Sequence, residues 1–104
     1  MSFSNFLETE ILDHVFAGAA YTAPTTKYLA LFTAVADGEA GSVTEVSASG
    51  TAYARQTVAF TTSGNTTSNS GAVEYPTATG SGFGTVTHVG VYDALTSGNL
   101  LSLI

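Results

Sequence analysis

The stretch Lys27-Tyr-Leu-Ala-Leu-Phe-Thr-Ala34 (KYLALFTA) decides the fold class. Its aromatic and apolar residues occupy both alternating sets, the pattern of a strand buried on both faces, inside the domain or against a neighbour. Working outward from it, the period changes. Upstream, Phe6, Leu7, Ile11, Leu12, Val15 and Phe16 recur at three- and four-residue intervals, which predicts one helix over about 5–17 with one buried face. Asn5 is its expected cap, Glu8 completes a capping-box pattern, and Gly18 supplies the stop. Ala19 to Thr26, with Pro24 among small residues, reads as an extended connection.

Downstream the period stays at two. Asp37 to Gly41 predicts a turn, Val43 to Ser47 a short edge strand, and Ser49-Gly50 a break before Ala52 to Thr61. In that run Tyr53, Arg55 and Thr57 share one face, and Ala54, Gln56, Val58 and Phe60 the other. The polar octet Ser63 to Ser70 (SGNTTSNS) is expected to be the tip of a hairpin whose return strand is Ala72 to Tyr75, ended by Pro76. Gly80 to Gly84 reads as a bend. Thr85 to Asp93 alternates again, and Ser97-Gly98-Asn99 turns into Leu100 to Ile104. Six or so strands with one amino-terminal helix predict a single-domain, mainly β protein spanning 1–104, an antiparallel β-sandwich or open barrel.

Size and composition agree with one core. A folded chain of 104 residues and 10.6 kDa exposes roughly 5,500 Å², about a third of what it exposes unfolded. Only 10% of residues are charged, against about 25% in an average soluble domain, and Ser, Thr, Gly and Ala replace them. Freely diffusing monomers carry mixed charges that discourage association, so a neutral, hydroxyl-rich surface favours a subunit of an assembly. Lys27 and Arg55 are the only basic side chains and the formal net charge is −6, which argues against direct nucleic-acid binding. The acidic amino terminus does not fit a signal peptide, and no apolar run approaches a bilayer span, so no membrane association is expected. The apolar carboxyl terminus, Leu100 to Ile104, must be covered, either by pairing with Val86 to Asp93 or at a subunit interface.

Groups capable of catalysis are scarce. His14 and His88 are the only side chains that titrate near neutrality, the first beside Asp13 on the helix and the second within a strand, and both read as packing or hydrogen-bonding residues. With no cysteine and no paired-histidine spacing, no zinc site is expected. Asp37, Glu39 and Glu45 read as a solvated turn more simply than as calcium ligands. Gly80 to Gly84 lacks the lysine and helix of a phosphate loop. The expectation is therefore no catalytic residue, no metal and no cofactor. Arg55, alone among arginines, should find a carboxylate such as Glu45 or Glu74.

Three segments in order, LDHVFAGAAYTAPTTKYLALFTA from Leu12, EVSASGTAYARQTVAFT from Glu45 and SGAVEYPTATGSGFGTVTHVGVYDALTSGNLL from Ser70, resemble a family of small tailed-phage virion proteins. Members of such families are described as head cement or decoration proteins or as tail-fibre-like proteins. The chain has no fibre-forming repeat, no shaft segment and no appended receptor-binding domain, which favours cement. The resemblance then implies a protein on the outer surface of the capsid, bound to the major capsid protein and to copies of itself, clamping capsid subunits together. Phe6, Ile11, Leu29, Leu31, Phe32, Arg55, Leu101, Leu103 and Ile104 are the expected contact residues. The alternative is a tail protein with a receptor- or carbohydrate-binding role, stacking exposed tyrosines such as Tyr53, Tyr75 or Tyr92 on a sugar.

Overall fold

The computed structural model describes residues 2–104. Eight strands and one helix follow in chain order: β1 (Ser2–Phe3), α1 (Asn5–Phe16), β2 (Lys27–Asp37), β3 (Ser42–Glu45), β4 (Gln56–Val58), β5 (Phe60–Ser63), β6 (Thr66–Asn69), β7 (His88–Tyr92) and β8 (Leu100–Leu103). All pairings are antiparallel. The protein is thus mainly β with one amino-terminal helix, in a single domain. One six-stranded sheet runs β1-β8-β7-β2-β3, and β4 joins it by pairing with β2, while β5 and β6 form a separate two-stranded ribbon.

The predicted core strand is the spine of the sheet. Tyr28 to Phe32 pair with β7 along one edge of β2. Its other edge is shared end to end by β4, opposite Lys27 to Leu29, and by β3, opposite Phe32 to Asp37. Ala30 and Phe32 are completely buried and form the core with Tyr92 and Leu100. A bulge between Phe32 and Ala34 shifts the register by one, so that Val35 also packs on this cluster although simple alternation would turn it away. Gly90 lies under the Phe32 ring, where a Cβ would stand 2.6 Å from Phe32 Cε2. The opposite face of β2, carrying Leu29 and Leu31, is only half-buried.

The helix departs from expectation in two ways. Its cap is Ser4, not Asn5: the Ser4 hydroxyl accepts from Leu7 N at 3.2 Å and donates to the Leu100 carbonyl. One small side chain thereby caps the helix and ties it to β8, and Asn5 becomes the first helical residue, so the capping box with Glu8 does not form. The second departure is burial. No residue of α1 is buried; Phe6 and Leu7 are half-covered beside β1 and β8, whereas Ile11, Leu12, Val15 and Phe16 face solvent. The helix is anchored at its start by Ser4 N to Leu101 O and Asn5 N to Glu39 O, both 2.8 Å, and its later turns project.

The middle of the chain also folds differently from its pattern. The expected strand 52–61 divides at Ala59 into β4, which belongs to the main sheet, and β5, which belongs to the ribbon. The polar octet is no loop: Ser63 pairs with Thr66 across Gly64-Asn65, and Gly64 takes φ +59, the geometry of a two-residue hairpin turn with glycine first. Ala72 to Tyr75 is not a strand, and β7 begins at His88, so 70–87 is irregular chain pinned by specific contacts. Leu100 to Leu103 pairs with β7, the first of the two alternatives for that terminus.

The molecule measures 48 × 28 × 19 Å with a radius of gyration of 14.6 Å, against about 13 Å for an ordinary globular chain of this length. Its accessible surface, 6227 Å², likewise exceeds the roughly 5,500 Å² expected for its mass. The later turns of α1, the ribbon and the irregular segments 17–26 and 70–87 all consist mostly of exposed residues. No helix among the described residues is long and apolar enough to cross a membrane.

Candidate functional site

Two tyrosines, an arginine and a glutamate converge on the gap along β2 between the end of β3 and the start of β4. A strand edge in such a gap leaves N–H and C=O groups that need partners. Leu31 O receives Val46 N at 3.0 Å. Leu31 N donates to the Tyr53 hydroxyl at 3.1 Å, and the Tyr75 hydroxyl donates to Leu29 O. Two side-chain hydroxyls thus replace a missing strand. Tyr53 and Tyr75 stack with ring centres 6.0 Å apart, and Phe83 meets Tyr53 edge-on at 5.6 Å. The Gly80 to Gly84 bend serves this contact: Gly80, at φ +58, passes so close to Gly50 O that a side chain would collide with it.

Arg55 completes the cluster. Its Nε and Nη2 grip the Glu45 carboxylate at 3.0 and 2.9 Å, and Nη1 donates to Ala94 O and Ser97 O at 2.9 and 2.7 Å. The guanidinium also lies 3.6 Å from the centre of the Tyr92 ring, a favourable cation–π position. Glu45 in turn accepts from the Tyr53 hydroxyl. Burial alone raises the Glu45 carboxyl, but the hydrogen bonds from Arg55 and Tyr53 outweigh it and hold the group below its ordinary value. Burial, then the hydrogen bond to Glu45, pushes Tyr53 up, and burial with the Glu45 charge pushes Tyr75 up to about 12. The expected partner Glu45 is therefore the actual one, and Glu74 is not used.

This cluster is an internal clasp. The Arg55 side chain is 8% exposed, with its donors committed to Glu45 and to the 94–97 loop, so it ties the chain together and has little to offer a partner. Phe32 and Leu101 are likewise buried within the subunit. Of the other contact residues expected from sequence, Phe6, Leu29, Leu31 and Leu103 are half-buried, and Ile11 and Ile104 are exposed. Tyr53 and Tyr92 are buried and Tyr75 is half-buried, each engaged in the clasp, so a flat tyrosine platform for sugar stacking does not exist there.

The residues considered for chemistry are scattered. His14 Nδ1 accepts from Tyr21 N at 3.2 Å, which folds the connection back on the helix end. His88 Nδ1 lies 2.9 Å from Thr87 Oγ1 at an exposed strand end rather than in mid-strand. Asp37 caps its own turn by accepting from Glu39 N and Ala40 N. Among the described residues no three His, Asp or Glu side chains gather as metal ligands would.

Two apolar surfaces remain uncovered. The last turns of α1 expose Leu12, Val15 and Phe16 by 55%, 62% and 81%. On the half-buried face of the sheet an open groove of about 480 Å³ runs between Leu29, Val89 and Val58 and the ribbon, with Phe60, Val73 and Ile104 completing its lining. Sequence periodicity finds the helix stripe but not its exposure. It misses the groove, although the Gly-Asn pair at 64–65 signals the ribbon that walls it.

A small antiparallel β protein whose Arg55–Glu45 pair locks its own backbone, and which exposes an apolar helix stripe and an apolar groove, has the features of a structural protein such as those of phage virions. Comparison with protein families gives the particular one: the chain belongs to the family described as podophage GP4 fiber I protein gp80, whose model matches residues 2–103. It is a phage structural protein related to virion fibres. No curated protein matches the chain.

Proposed function

We propose that this protein is a non-enzymatic structural subunit associated with a phage tail fibre. The observation that carries the reading is the match of residues 2–103 to a fibre family. The elongated body and its exposed apolar helix support it, as does the use of Arg55, Glu45, Tyr53 and Tyr75 to clasp the backbone. The head-cement role favoured by sequence alone yields to this tail reading, because the family whose model matches is described as a fibre protein. The protein contributes contacts and shape, holding neighbouring subunits by buried apolar surface.

Copy number tests the reading. Quantitative mass spectrometry of intact virions and of tail-free heads should show the protein at a small fraction of the major capsid protein in the former and lost from the latter. A ratio near one that persists in tail-free heads overturns the tail assignment and restores the cement role.

A further inference from the structure

We propose that the exposed face of α1 docks in the apolar groove of a second copy of this chain, so that each copy gives one helix and receives one. Such docking depends on the helix and the groove alone and holds wherever in the particle the protein resides. Three observations carry it.

The first is the form of the knob. Glu8, Ile11, Leu12 and Val15 stand at i, i+3, i+4 and i+7 and so lie along one face, with Phe16 beside them. This face points away from the protein's own sheet, which Phe6 and Leu7 contact. The anchoring hydrogen bonds at Ser4 and Asn5 fix the helix in that pose, so the stripe is presented rather than merely unfolded. The second is the hole. Leu29 and Val89 form the floor of the groove on the face of β2 that the subunit leaves half-covered, and a strand apolar on both faces is expected to be buried on both.

The third is charge. Lys27 and Arg55 are the only basic side chains of the protein, and Arg55 is committed to Glu45. Among the described residues Lys27 has no carboxylate partner and only donates to Pro24 O at 3.3 Å. It lies at the end of the groove, pairing in register with Val58 and sharing with Val58 and Phe60 an adjoining hollow. The knob carries its own acid, Glu8, one turn before Leu12. Seating the helix brings Glu8 of one copy to Lys27 of the other. The knob exposes on the order of 400 Å² of apolar surface, the size of the largest patch on a typical monomer, which is often an interaction site.

The test uses the full chain, which lacks cysteine. In sedimentation over roughly 1–100 µM, where interfaces of micromolar affinity pass from mostly free to mostly assembled, the wild type should self-associate. The double variant Val15→Asp/Phe16→Asp should sediment as a monomer with unchanged circular dichroism, because both residues are exposed. Mixing a Phe16→Cys chain with a differently tagged Val73→Cys chain under oxidation should give a cross-link containing both tags. Glu8→Lys and Lys27→Glu should each weaken association by about two- to five-fold, and the combined swap should recover it. A wild type that remains monomeric at the highest concentration overturns the proposal, as does undiminished association of the aspartate variant. Loss of association without the mixed cross-link, or a charge swap no better than its single variants, overturns the placement of the helix in this groove.

Discussion

Arg55 joins three parts of the chain, the Glu45 carboxylate, the 94–97 loop and the Tyr92 ring. Its removal, as Arg55→Met, leaves the Glu45 carboxylate half-buried without its counter-charge and frees the 94–97 loop. The expected cost is about 2–4 kcal/mol, read as a lower urea midpoint, and Arg55→Lys recovers only part of it because an ammonium cannot grip both carboxylate oxygens and lie flat on Tyr92. Tyr75→Phe removes only the hydroxyl that serves Leu29 O and should cost about 1 kcal/mol. The same groups set the pH limits. Tyr75 is raised in the folded state, so its contribution is complete below the ordinary phenol value near 10 and is lost as pH rises toward about 12. Glu45 is lowered, so its contribution is present above the ordinary carboxylate range and is lost as pH falls through the folded value. Urea midpoints measured from acid to alkaline pH should therefore form a plateau that falls at both ends, and Tyr75→Phe should make the alkaline fall shallower.

At the scale of elements, the helix and the ribbon depend on single residues. Ser4→Ala removes both the cap and the bond to Leu100 O, and about 1–2 kcal/mol of stability should go with them. The expected signature is faster amide exchange in α1 than in β2. Gly64→Val places a branched side chain at φ +59, where only glycine is comfortable, and should open the ribbon while leaving the main sheet intact. Amide exchange should then rise in 60–69 and stay unchanged in 27–37. Both elements show how far local pattern reaches. The period of Phe6 to Phe16 identifies the helix, because periodicity reports which residues share a face. It does not say what that face meets, and here only its first turn, Phe6 and Leu7, meets the sheet, while the later turns meet solvent. The octet Ser63 to Ser70 has the polarity of a loop. It forms strands because a two-residue glycine turn brings its halves into register with no buried face to impose alternation.

For the whole molecule, the surface exceeds that of an ordinary chain of this size, and the helix and ribbon share in that surplus with the exposed irregular segments 17–26 and 70–87. A docked partner copy would cover part of it, and the thermal midpoint of the wild type should then rise with protein concentration while that of Val15→Asp/Phe16→Asp stays flat. Composition, period and turn chemistry were enough to establish a mainly β domain, its core strand over 27–34, its single helix and a carboxylate partner for Arg55, narrowed to Glu45 or Glu74. Those features depend on neighbours in sequence or on a choice among very few charges. The clasp across the gap in β2, the groove beneath the ribbon and the exposure of the helix stripe arise from residues far apart in the chain. Tyr75 meets Leu29, and Val73 and Ile104 meet Val58, only after the sheet has formed, because which backbone groups lack partners, and which apolar faces lack cover, is decided by the packing of the whole chain.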